Sequence, residues 1–250
     1  MPHRAISPAL ILALSLTGAA YAEAADPEAL LSKGQLLVLE ADDTDENLTA
    51  ALAAYDRALQ GELSPERQVS AYSYKALAYL KLGDRQRPND QKARYYDLGR
   101  QQAQKAIQID AECADCFFIW GSNVGRFGEA QGIMRSLSLL PRVRAAFQRA
   151  LQIDPGHVNT IVAQGELDMI LPRIAGGSKA RAEARYRRAL ELDRHHTRAM
   201  ALLAELLAQQ GRRSEASAMA RRVLEEEDPT HPGEQRKFDG PRAERLLERL

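Results

Sequence analysis

Residues 197–229 read TRAMALLAELLAQQGRRSEASAMARRVLEEEDP. Two apolar-periodic stretches flank Gly211. In the second, Ala216, Ala220 and Val223 stand at i, i+4 and i+7, a spacing that puts three residues on one helical face. The same three-position pattern of small or aromatic residues occurs upstream as Ala51/Tyr55/Ala58, Gly99/Ala103/Ala106, Val143/Phe147/Ala150 and Ala182/Tyr186/Ala189. An Ile/Leu-x-Asp ending follows three of the five, at Asp110, Asp154 and Asp193. Alanine at the third position suits close approach of two helices. The chain therefore reads as an internal repeat of helical hairpins.

On these residues the chain resembles the tetratricopeptide repeat, a helix–turn–helix unit of about 34 residues. Leu203-Ala204, Leu207, Gly211, Ala216 and Val223 are in register with it; Asp228 takes the usual proline position and Pro229 comes one later. The resemblance covers roughly residues 27–228 and implies an all-α solenoid of about five helix pairs. Helices are expected at about 27–41, 46–60, 65–82, 90–109, 114–127, 131–153, 156–171, 178–192, 196–210 and 214–227, with Pro141 kinking the sixth or restarting it. Residues 228–241 read as an exposed connection, and a helix from Arg242 to Leu250 is expected to cap the array. The third positions lie 48, 44, 39 and 34 residues apart. The excess falls at Gly83–Asp90, Phe127–Pro141 and Ile170–Ser178. Either these insertions mark a binding edge, or they lengthen helices and fill gaps between units.

Composition limits the function. Lys+Arg and Asp+Glu are equal at 34 each, which gives no overall pull towards nucleic acid. Two cysteines are too few for a disulfide framework or a multi-thiolate metal site. Residues 1–22 read as an export signal, with His3 and Arg4 before an apolar run from Ala9 to Leu16 and small residues at Ala20 and Ala22. Cleavage near Ala22 would leave a periplasmic protein without a membrane span, comprising a repeat domain at 23–228 and a linker with its capping helix at 229–250. Charge is unevenly spread. Residues 23–66 hold eleven acids against Lys33 and Arg57, and residues 173–198 hold eight Lys/Arg against Glu183, Glu191 and Asp193.

Four local features are candidate sites. Cys113-Ala-Asp-Cys116 lacks the His of a haem site and the β-α-β setting of a redox site; it reads as a local disulfide or as two buried thiols. In the loop Pro172 to Lys179, Gly176 and Gly177 permit left-handed angles and Ser178 can cap the next helix; alternatively, free N–H groups and Lys179 hold a small anion there. Trp120, in the most aromatic stretch, and Tyr72 and Tyr95, in a tyrosine group, read as core or as ligand or partner contacts. The histidines lack metal-ligand spacing and no catalytic constellation stands out, so neither cofactor nor enzymatic activity is expected.

Trp120-Gly121, Leu140-Pro141-x-Val143 and Leu171-Pro172-x-x-x-Gly-Gly-Ser178 together resemble the T-component (TatT) of tripartite periplasmic TRAP transporters across most of residues 90–210. That resemblance implies a trimer that offers a cavity to a small apolar solute and docks a solute-binding protein. No cysteine stands near the cleavage region for lipidation. The chain is similar, more distantly, to the eukaryotic regulators of microtubule dynamics, which share the helical framework; the export signal argues against their function here. The rival reading is an envelope scaffold that binds other proteins through its concave face, without a small molecule.

Overall fold

The computed structural model describes residues 26–39, 41 and 44–250. The export signal lies outside the described residues. Among the described residues the chain is all-α, and ten helices pair into five antiparallel hairpins. These are α1 (Pro27–Leu39) with α2 (Asp45–Ala58), α3 (Pro65–Arg85) with α4 (Asn89–Ile109), α5 (Ala114–Ala130) with α6 (Ile133–Ile153), α7 (Val158–Ile170) with α8 (Lys179–Leu192), and α9 (Thr197–Gln209) with α10 (Arg213–Glu225). Three short elements follow: α11 (Pro232–Glu234), a π-helical turn (Gln235–Asp239) and α12 (Gly240–Leu247).

The small–aromatic–small pattern is the seam of each hairpin. Ala51, Ala58, Ala106, Ala150, Ala182, Ala189 and Ala216 are fully buried, as are Tyr55 and Tyr186. Each ring fits against a glycine on the partner helix. A Cβ on Gly34 would lie 2.6 Å from the Tyr55 ring, and one on Gly165 would lie 2.5 Å from the Tyr186 ring. Phe147 meets Gly121 in the same way. In the last hairpin the middle position is Ala220, fully buried in a cluster with Met200, Ala201 and Ala204 of α9.

The turns between hairpins repeat one hydrogen-bond scheme. Asp110, Asp154 and Asp193 follow the last residues of α4, α6 and α8, and each carboxylate accepts from the backbone N–H two residues on, at 2.8, 2.8 and 2.9 Å. The residue three beyond each Asp caps the next helix. His157 Nδ1 accepts from Thr160 N at 3.3 Å, His196 Nδ1 accepts from Ala199 N at 3.2 Å, and Cys113 Sγ faces Cys116 N at 3.1 Å.

One open alternative is decided and two expectations change. The extra residues of the second and third units mostly lengthen helices: α3, α4 and α6 each run to 21 residues, against 13 to 14 in the other hairpins. Only the fourth unit turns its excess into a loop, with a 3-10 turn at Arg173–Ala175. Residues 228–241 are not an exposed connection. Gly233 and Asp239 are buried, Thr230 donates to Asp193 Oδ2 at 2.6 Å, and Thr197 donates to Asp239 Oδ2 at 2.8 Å. The expected cap is present: Ala243 and Leu246 of α12 cover Met200, Ala204, Ala220 and Val223. Pro141 neither breaks nor restarts α6, which is unbroken from Ile133 to Ile153. Pro141 and Leu137 are exposed, so the carbonyl that loses its donor faces water.

Candidate functional site: a central cavity closed by the C-terminal segment

The inner faces of α3, α5, α7 and α9 line a cavity of about 680 Å³. The C-terminal segment forms part of its wall and narrows it, contributing His231, Glu234, Phe238 and Arg242. That segment crosses back to the first hairpin, where a Cβ on Gly233 would lie 3.4 Å from the Ala41 carbonyl oxygen. On the same side Lys81 donates to the Val38 carbonyl at 2.9 Å.

One part of the wall is apolar, with Leu77, Phe118, Ile119, Val143, Phe147 and Leu167. The Phe118 and Phe147 rings stack with centroids 6.2 Å apart. The other part is charged, with signs alternating along the wall. Arg126 lies between Asp84 at 3.7 Å and Glu129 at 3.1 Å. Arg198 grips both oxygens of Glu166, at 2.7 and 3.1 Å, and Arg242 meets Glu205 at 3.1 Å. Glu166 holds the Arg198 guanidinium firmly protonated, and burial opposes this without reversing it. Burial works against the Arg126 charge, but Asp84, Glu129 and Glu166 outweigh it and raise its pKa. Burial also works against the Glu234 carboxylate, yet Arg198, Lys81, His231 and His196 together keep its pKa below the usual range. A charged ligand entering here would have to exchange into existing ion pairs, whereas an apolar group has Phe118 and its neighbours ready.

Two titratable groups sit where the closing segment meets α9. Burial, then His231, pushes His196 down to about 4. Its Nε2 lies 3.0 Å from Asn159 Oδ1 while Nδ1 accepts from Ala199 N, an arrangement that suits the neutral ring. Burial pushes the Asp239 carboxyl up to about 6, against the Thr197 hydrogen bond and the Arg198 charge.

The residues singled out in the sequence lie mostly elsewhere. Cys113 and Cys116 are disulfide-bonded, and Cys113 lines the cavity. Trp120 packs against the clusters around Val143 and Ile119, with its indole N–H buried and unpartnered; it is not among the cavity-lining residues. Tyr72 lies under the Lys105 ammonium at 5.4 Å, and Tyr95 packs on Tyr79 with centroids 6.4 Å apart; neither lines the cavity. Pro172, Gly176, Gly177 and Ser178 build a tight cap on the outside of the array. Gly176 has a φ of 85°, and Ser178 accepts from Arg181 N at 3.3 Å. A Cβ on Gly177 would lie 1.7 Å from the Leu171 carbonyl oxygen. Lys179 is exposed. The sequence reading missed Arg126, Glu166, Arg198 and Glu234. They lie 30 to 40 residues apart and share no local pattern, although each of the first three interrupts an apolar helix.

A family model described as Regulator of microtubule dynamics protein 1-3 matches residues 35–171, more than half of the chain. The chain belongs to this family. A tetratricopeptide repeat model matches residues 174–232, and neither description is that of a transporter T-component. No curated protein matches. Among solved structures, TTC0263, a thermophilic tetratricopeptide-repeat protein in Thermus thermophilus, is similar at a TM-score of 0.66 and 19% identity, covering 89% of this chain and 99% of that one. MamA is similar at 0.44 and 17% identity (73% and 90% covered), and YrrB, a tetratricopeptide-repeat protein with an unusual peptide-binding site, at 0.43 and 18% (90% and 93%). The likeness to TTC0263 agrees with the fold of this family member: a tetratricopeptide-like helical-repeat scaffold.

Proposed function

We propose that this family member is a binding protein that encloses a small ligand with an apolar body in its central cavity. The observation that carries this reading is the cavity itself. Its volume of about 680 Å³ is that of a small-molecule site. Its mouth is narrowed by the chain's own C-terminal segment. Phe118 and its apolar neighbours receive the ligand body, and the ion pairs at Arg126 and Arg198 discriminate against unpaired charge.

In this proposal the chain is exported and acts as the T-component of a TRAP-type transporter, docking a solute-binding protein, as a trimer. The signal-like residues 1–22 and the Cys113–Cys116 disulfide support a periplasmic setting. The second reading, a scaffold for protein partners without a small molecule, draws on the charged half of the cavity wall around Glu166 and Arg198.

Native mass spectrometry of protein purified without detergent tests the proposal. A co-purifying small mass is expected on the wild type, with occupancy several-fold lower in Phe118→Ala. Protein bare of added mass under gentle conditions overturns the proposal and leaves the scaffold reading.

A further inference from the structure

Five large apolar side chains are exposed on one edge of the third and fourth hairpins, and of these Ile170 also borders the cavity. Ile174 is 99% exposed at the tip of the loop before α8, with Ile170 beside it at the end of α7. Met134 and Ile133 are 78% and 76% exposed in the first turn of α6, with Leu137 one turn on. Ile133, Leu137, Leu140 and Arg144 follow at i, i+4, i+7 and i+11, so they form one row along α6. That row ends at the loop, because Arg144 donates to the Ala175 carbonyl at 2.6 Å.

The loop holds Ile174 outward by construction. Arg181 donates to the Gly176 carbonyl at 2.5 Å, Ser178 N–H donates to the Asp168 carbonyl at 2.8 Å, and Gly176 takes the left-handed conformation. Cations flank the apolar residues on both sides. Arg135 and Arg142 share a row on one flank of α6; Arg173 and Lys179 bracket the loop on the other. Among the described residues Arg142, Arg173 and Lys179 have no acidic partner. There is no acidic residue between Glu129 and Asp154, nor between Asp168 and Glu183.

We infer that this edge docks on an anionic lipid surface, with Ile133, Met134 and Ile174 entering the headgroup–acyl boundary and the flanking cations meeting lipid phosphates. Protruding apolar side chains ringed by uncompensated Arg and Lys suit an interface with apolar depth and negative charge.

Vesicle co-sedimentation tests the inference. Every described element lies within residues 26–250, so the protein is used from Glu23 on, without the apolar run at 9–16 that would itself bind lipid. Phosphatidylcholine vesicles containing phosphatidylglycerol are expected to pellet the protein, and phosphatidylcholine alone is not. Ile174→Ser combined with Met134→Ser should weaken partitioning by roughly tenfold, following the apolar surface removed. Arg173→Glu should weaken it at least roughly fivefold. Arg213→Glu, an equal change of net charge at an exposed site on α10, should leave it near wild type. All three variants should keep the wild-type melting temperature, because the altered side chains are exposed. Failure to bind phosphatidylglycerol vesicles overturns the inference. So does equal weakening by Arg173→Glu and Arg213→Glu, which reduces the effect to net charge. Patch-dependent self-association of the free protein in sedimentation velocity also overturns it and assigns the edge to a second copy of the chain.

Discussion

At the residue scale, the turns between hairpins are built from two side chains three positions apart. Asp154 takes up the N–H of Gly156 and His157 takes up that of Thr160; Asp193 and His196 repeat the arrangement one unit later. Two backbone donors at a helix start, which would otherwise need water, are satisfied within the chain. This gives a role to His157 and His196, which the sequence places in inter-helix turns: the Asp-x-x-His spacing was visible, but only paired helix ends give it meaning. Gly177 is the most constrained position. Its missing Cβ would sit 1.7 Å from the Leu171 carbonyl oxygen, a backbone atom that cannot swing aside. Gly177→Ala is therefore expected to cost roughly 2–3 kcal/mol or more in urea denaturation. Lys179→Ala, two residues on and exposed, should stay within about 0.5 kcal/mol of wild type.

At the element scale, the closing segment from Pro232 to Leu247 is the part whose pH response can be worked out. Asp239 is buried against α9, faced by Thr197, Arg198, Glu234 and Arg242. Its folded-state pKa is raised from 3.8 to about 6. A group raised on folding contributes stability that is fully present below its unfolded pKa and is lost as pH rises through the folded one. Asp239→Asn keeps an oxygen to accept from Thr197 and removes the buried charge. It should melt higher than wild type at pH 8, by on the order of 2 kcal/mol. The advantage should shrink below pH 6 and vanish near pH 4. His196 acts in the opposite sense: with its pKa pushed down to about 4, it costs stability as pH falls from 6.5 towards 4. The whole-protein curve sums the two, and the difference between wild type and Asp239→Asn, followed by calorimetry across that range, isolates Asp239. α6 teaches a separate point about elements. Pro141 suggested a kink or a fresh start because Pro removes a donor and crowds the preceding turn, and its position on the solvent face leaves the helix unbroken.

At the scale of the whole molecule, the five hairpins and the closing segment act together. Met200, Ala204, Ala220 and Val223 form the open end of the array, and Ala243 and Leu246 cover it. Glu234, in the same segment, faces Arg198 and Lys81 across the cavity. Removing residues 229–250 should uncover that apolar face and open the cavity on one side. A loss on the order of 3–5 kcal/mol in chemical denaturation is expected, from the burial of Leu246, Ala243 and the side chains beneath them. A ligand held by the intact protein should dissociate faster from the shortened one. Unchanged stability would mean that the segment lies on the array without supporting it.

Local sequence suffices for the repeat, the helix pairing and most helix limits. These depend on residues three to seven positions apart on one helix, so periodicity records them directly. It suffices, too, for the need of a cover on the last unit, because a repeat cannot bury its own outer face. Three-dimensional packing was required to establish that the extra residues of the middle units lengthen helices and that residues 228–241 fold back onto the last two hairpins. The same holds for Arg126, Glu166 and Arg198, which meet in one cavity that Trp120 does not line. The reason is geometric. How far a stacked array curves is the sum of small rotations between successive hairpins, each set by how individual side chains interlock, and no short stretch of sequence contains that sum.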